Sequence, residues 1–114
     1  MLNQYEAPTL FLSISDKSHL YSSYMAFVKH GGLFIPTFDH YEMGQNVFLT
    51  LSLLLETTPF YIHGKVVWMT PKQSESYRTC GIGIQFTEQE YTLKTKIEAY
   101  LATMQDFDYS TYTL

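Results

Sequence analysis

The sequence predicts a mostly-β domain, in which an antiparallel sheet of five or six short strands closes into a barrel and one α-helix follows at the C-terminal end. Three observations predict it. Short β-branched and aromatic runs recur between Gly, Pro and polar turn segments, in the order of a meander. After Phe86 the apolar spacing changes from two residues to three and four. The chain has 114 residues, 46% of them hydrophobic and 16% charged, with 10 Tyr, 8 Phe and 1 Trp. That suffices for one packed core and is not the composition of a disordered chain.

Residues 1–8 (MLNQYEAP) read as a flexible N-terminus without the basic start and apolar run of a signal peptide. In Thr9–Ile14 (TLFLSI), Leu10, Leu12 and Ile14 share one side, as in a half-buried strand, and Asp16 with Lys17 marks a turn. The stretch Ser18–Val28 suits a helical stripe through Leu20, Tyr24, Phe27 and Val28, or a strand at its aromatic end. It is read as a short connector entering a strand. In KHGGLFIPT the adjacent Gly31 and Gly32 predict a bulge or bend, and Pro36 ends that strand. Phe38–Gln45 is a connection, closed by turn chemistry at Gly44 and Asn46. Val47–Leu55 and Phe60–Met69 are strands joined by the hairpin loop Glu56–Pro59. The polar segment Thr70–Tyr77 then leads into a last strand, Thr79–Phe86. Thr87-Glu-Gln-Glu90 has the pattern of a capping box. A helix follows with Leu93, Ile97, Tyr100, Leu101 and Met104 on one stripe, and Glu90 and Lys94 form a pair beside it. The domain therefore spans 9–104, and 105–114 is expected to be a mobile tail without an apolar period.

The formal charge of −4 disfavours polyphosphate partners, so nucleic acid is not expected. The single cysteine, Cys80, has no partner for an internal disulfide, which fits a reducing, cytoplasmic setting; it is expected to be a small buried thiol. The greasiest window, Val47–Leu55, is far shorter than the ~20 residues of a membrane span, so no membrane insertion is expected.

No catalytic set is visible. The histidines His19, His30, His40 and His63 stand singly, with Asp39-His40 as the only acid–histidine neighbours, and no spacing suits a metal. Gly81-Ile-Gly83 precedes a strand rather than a helix and so offers no helix N-terminus to a phosphate. Neither a metal, a cofactor nor an enzymatic activity is expected.

The order VKHGGLFIP, GKVVWMTP, GIGIQF and a capped helix resembles the PilZ domain family, from about Leu10 onward. More narrowly, LYSSYMAFVKHGGLFIPT with the terminal TYTL resembles its type IV pilus assembly subgroup. The resemblance implies a six-stranded antiparallel β-barrel with a C-terminal α-helix. Most of the family are receptors for cyclic di-GMP through RxxxR ahead of the barrel and [D/N]xSxxG on an early strand. Here Phe27 stands at the acid or amide position and Lys29 at the serine position, and only Gly32 matches. The one arginine of the chain is Arg78, in a late loop. Lysine cannot replace a stacked, bidentate guanidinium, so direct cyclic di-GMP binding is not expected.

The pilus-assembly subgroup implies instead a protein adaptor in twitching motility. Its partners there are the extension motor ATPase PilB and the FimX-like EAL-domain receptor. Aromatic residues usually anchor such interfaces. By matching position, Tyr21 is the first candidate for the motor-facing surface with Tyr24 beside it; Phe27, and Trp68 with Pro71 at a strand end, are the further candidates. For each, core packing is the competing role. A nucleotide sensor with a non-standard site is the alternative function, and the oligomeric state stays open.

Overall fold

The computed structural model describes residues 7–70 and 80–113, with side chains through 103. Strand β1 (Thr9–Ile14) is followed by helix α1 (Lys17–Ser23). Strands β2 (Gly32–Pro36), β3 (Asn46–Leu53), β4 (Phe60–Met69) and β5 (Gly81–Phe86) come next. A 3₁₀ turn at Glu88–Glu90 leads into helix α2 (Tyr91–Thr113). The sheet order is β1-β3-β4-β5-β2.

Five strands, rather than six, form the sheet among the described residues, and it is mixed rather than all antiparallel. β1 runs parallel to β3, while β3–β4, β4–β5 and β5–β2 are antiparallel. The strand expected after the Ser18–Val28 connector is present as β2; what is absent is a further strand at the aromatic end of Ser18–Val28 itself. That stretch folds as α1, and of its aromatic end only Tyr24 makes an isolated bridge, to Leu33. Asp16 caps α1: its Oδ1 accepts the His19 backbone N–H at 2.8 Å. The sheet is therefore an open, curled half-barrel whose terminal strands do not pair with each other.

The helices fill the opening. Leu20 of α1 and Leu93, Ile97 and Leu101 of α2 join Leu10, Ile14, Leu33, Leu49, Leu51, Val66, Ile84 and Phe86 in one core. The strict alternation of β3, with Val47, Leu49, Leu51 and Leu53 inward, is what the sequence pattern requires. Pro36 ends β2 as expected, and the bend lies at its start rather than inside it: His30 with φ 69° and Gly31 with φ +81° form the turn, and Gly32 opens the strand.

Three local expectations are corrected. The capping box does not close: Thr87 Oγ1 is buried without a hydrogen-bond partner, and the Glu90 carboxylate accepts from the His63 backbone N–H across the fold. Lys94 pairs with Glu98 at 3.0 Å, not with Glu90. Cys80 is exposed, because it precedes β5 instead of lying in it. The backbone of α2 runs to Thr113.

Candidate functional site

A short helix can present side chains only if something holds it down, and α1 has two buried residues, Leu20 and Ser23. Leu20 is fully buried, which turns the next residue, Tyr21, outward at 58% exposure. The chain leaves α1 through a hydrogen bond from Tyr24 N–H to the Leu20 carbonyl at 2.9 Å. It then makes a tight double turn: Val28 N–H donates to the Met25 carbonyl at 3.2 Å and Gly31 N–H to the Val28 carbonyl at 2.7 Å. Phe27 projects from that turn at 83% exposure.

Tyr21, Tyr24 and Phe27, three of the sequence candidates, therefore come together. With Ala26 and with Glu98, Leu101 and Ala102 of α2 they line a cleft of about 510 Å³. Tyr24 forms its polar wall, its hydroxyl donating to Glu98 Oε2 at 2.7 Å, while Lys94 Nζ donates to the same oxygen at 3.0 Å. Burial and the Glu98 carboxylate push the Tyr24 phenol far above its ordinary value. The same hydrogen bond, followed by that from Lys94, lowers the Glu98 carboxyl below 4.5.

This pair predicts a pH-dependent variant. A depressed carboxyl adds stability that is present above its unfolded value and is lost as pH falls through the folded one; a raised phenol adds stability below its unfolded value and loses it as pH rises. Both groups thus favour the fold between the acid and alkaline limbs. Tyr24→Phe is expected to cost about 0.5–1 kcal/mol at pH 7, a modest figure because the Glu98 side chain is 46% exposed. In urea melts the difference from wild type should shrink below pH 4. A gap that stays constant from pH 7 to pH 3 would assign the effect to packing alone.

Lys29 and Gly32, the other two positions of the ligand motif, do not line this cleft. Lys29 is exposed and its carbonyl accepts from Gln85 Nε2 at 3.0 Å, whereas Gly32 is buried at the start of β2. Trp68 lies on a second surface. β4 carries a bulge between Val66 and Trp68, which shifts the alternation by one residue and turns Trp68 out to 41% exposure. There it meets Phe34 edge-on, ring centroids 6.0 Å apart, above Gly83, whose register partners are Phe34 and Trp68. A Cβ on Gly83 would stand 2.8 Å from Met25 Sδ, so the missing side chain is what lets this cluster close. Pro71 lies outside the described residues. Sequence reasoning missed Phe34, whose signal was its alternation with the buried Leu33 and Ile35.

A third exposed group, Phe11, Phe48, Tyr61 and His63, occupies the outer face of β1, β3 and β4, Phe48 and His63 stacking at 5.1 Å. Among the described residues no three His, Cys, Asp or Glu side chains converge on a metal geometry, and no helix is long and apolar enough to cross a membrane.

No curated protein matches the chain. The profile of the PilZ domain matches residues 7–103, which takes in every strand, α1 and the first half of α2. The curled sheet with its C-terminal helix agrees with that match, and the chain belongs to the PilZ domain family.

Proposed function

We propose that this domain is a non-enzymatic, cytoplasmic adaptor of type IV pilus biogenesis and twitching motility. It docks to the extension ATPase PilB and to a FimX-like EAL-domain receptor of cyclic di-GMP, and does not itself bind the messenger. PilZ domains act as cyclic di-GMP-binding or adaptor modules, so the choice between the two rests on the ligand positions. The observation that carries it is Phe27. At the place of a hydrogen-bonding acid or amide stands a phenyl ring, 83% exposed, in a chain whose one arginine is Arg78. A doubly charged dinucleotide needs forked guanidinium donors there, and an exposed ring beside two tyrosines suits a polypeptide.

In this reading Tyr21 and Phe27 are the anchors and Tyr24, fixed by Glu98, is the wall against which they dock. Trp68 and Phe34 form a separate aromatic surface, which allows two partners at once. Titration calorimetry with cyclic di-GMP should show no heat of binding in the micromolar range. Co-purification with PilB should succeed, and Tyr21→Ala should weaken the complex about tenfold or more while the melting temperature stays near that of wild type. A micromolar dinucleotide complex would favour the sensor reading instead, and capture of PilB unaffected by Tyr21→Ala would remove Tyr21 from the interface.

A further inference from the structure

The two terminal strands of the sheet end differently. β2 is covered on its outer side: Tyr24 bridges to Leu33, Met25 N–H donates to the Gly32 carbonyl at 2.9 Å, and Pro36 has no N–H to offer. β1 has no such cover among the described residues. Its phase follows from the two bonds that bracket the β1–β3 ladder, Phe48 N–H to the Pro8 carbonyl and Leu54 N–H to the Ile14 carbonyl, each 2.8 Å. In a parallel pair alternate residues turn both backbone groups to the neighbour. Leu10, Leu12 and Ile14 therefore face β3, and Thr9, Phe11 and Ser13 direct their N–H and C=O groups outward. The strand carries no charge, no proline and no bulge, the devices that usually blunt an open edge, and Phe11 is 74% exposed.

The geometry points to a second copy of this chain as the occupant of that edge, paired antiparallel, β1 to β1, about a two-fold axis at Phe11. The sequence of the strand is what selects a copy over an unrelated peptide. Read outward from Phe11, TLFLS has a leucine on each side and a hydroxyl residue beyond it, so the strand is nearly its own mirror partner. Phe11 then lies opposite Phe11 of the second copy and Thr9 opposite its Ser13. Every outward backbone group meets an outward group, which is the hydrogen-bonded pair of an antiparallel ladder. Leu12, only half-buried in one chain, comes opposite Leu10 of the second copy on the inner face and continues the core across the axis. A chain of net charge −4 normally resists self-association, but β1 brings no charge to the axis, so no like charges oppose there. This surface is independent of the pilus reading, since none of its residues lines the Tyr21 cleft.

Sedimentation equilibrium of the full chain from about 1 µM to about 1 mM, the range of weak to moderate complexes, should show the mass rising from 13.3 kDa towards twice that value. Phe11→Lys and Phe11→Glu each set like charges face to face at the axis. Either is expected to raise the dissociation constant about tenfold or more. Because Phe11 is exposed, both variants keep wild-type circular dichroism. An equimolar mixture of the two, with opposite charges now facing, should recover the doubled mass. A wild type that stays at 13.3 kDa throughout, single variants that still associate, or a mixture that does not would each overturn the proposal.

Discussion

Gly32→Ala is expected to destabilise the domain by about 2–4 kcal/mol, a large share of the total stability of a domain this size. Gly32 does not need glycine for its backbone angles, since its φ lies outside the left-handed region, unlike that of Gly31 or Gly44. The constraint is proximity. A Cβ at Gly32 would run into the carbonyl of Ile84 on β5, and that obstacle is main chain held in the β2–β5 ladder, not a side chain that can swing away. On its other side the Gly32 carbonyl accepts the Met25 N–H, so the strand cannot shift outward without losing that bond. Gly44→Ala is the control: it has φ +85° and nothing within 4 Å, so only the backbone conformation resists, at about 1 kcal/mol. Urea melts of the two variants should separate clearly. A Gly32→Ala protein within about 0.5 kcal/mol of wild type would show that β2 and β5 can part. The point bears on function because Gly32 alone matches the dinucleotide motif. If strand contact fixes it, its presence says nothing about a ligand.

What the sequence revealed and what it concealed divide along a physical line. β3, β4 and β5 were legible because each is a local pattern: alternation in Val47–Leu53, β-branched and aromatic runs in Phe60–Met69, and turn residues between them. The stripe Leu93, Ile97, Leu101 was legible for the same reason. β1 was legible as a strand, but not its direction, because parallel pairing with β3 is decided by where α1 and β2 carry the chain. α1 was lost although its signal was present. Asp16 stands three residues before His19, whose N–H it caps, but a helix of seven residues gives too short a period to outweigh an aromatic end. The capping box failed in the opposite sense: the local pattern at Thr87–Glu90 is complete, and tertiary contact with the His63 N–H overrides it. Trp68 shows the limit most clearly. By alternation from Ile62, Gly64 and Val66 it should point inward, and a single extra residue in β4, which no composition announces, turns it out. The cleft was half legible: Tyr21, Tyr24 and Phe27 were named, but Glu98, Leu101 and Ala102 come from the other end of the chain.

Leu20→Ala is the second change of large effect, and it should act on both folding and the cleft. Leu20 is fully exposed to the core and not at all to solvent, and truncating such a leucine costs about 2–5 kcal/mol, the larger figure when the cavity cannot collapse. Collapse is hindered here because the chain on either side of α1 is fixed, by the pairing of β1 up to Ile14 and by the Tyr24 bridge to Leu33 of β2. Besides Leu20, α1 buries only Ser23, so a seven-residue helix without this leucine has little reason to stay formed. Tyr21 would lose its fixed position and Tyr24 its approach to Glu98. Urea melts should therefore show the stability loss, and the Glu98-dependent acid limb described for Tyr24 should flatten in the same variant. Leu20→Met, which keeps the volume, should cost less than about 1.5 kcal/mol and leave that limb intact. In the proposed complex Leu20→Ala should weaken PilB capture at least as much as Tyr21→Ala, although Leu20 touches no partner. Loss of less than about 1 kcal/mol with an unchanged acid limb would mean that α1 is held by its ends alone. The cleft would then be a property of the turn at Met25–Gly31 rather than of the helix.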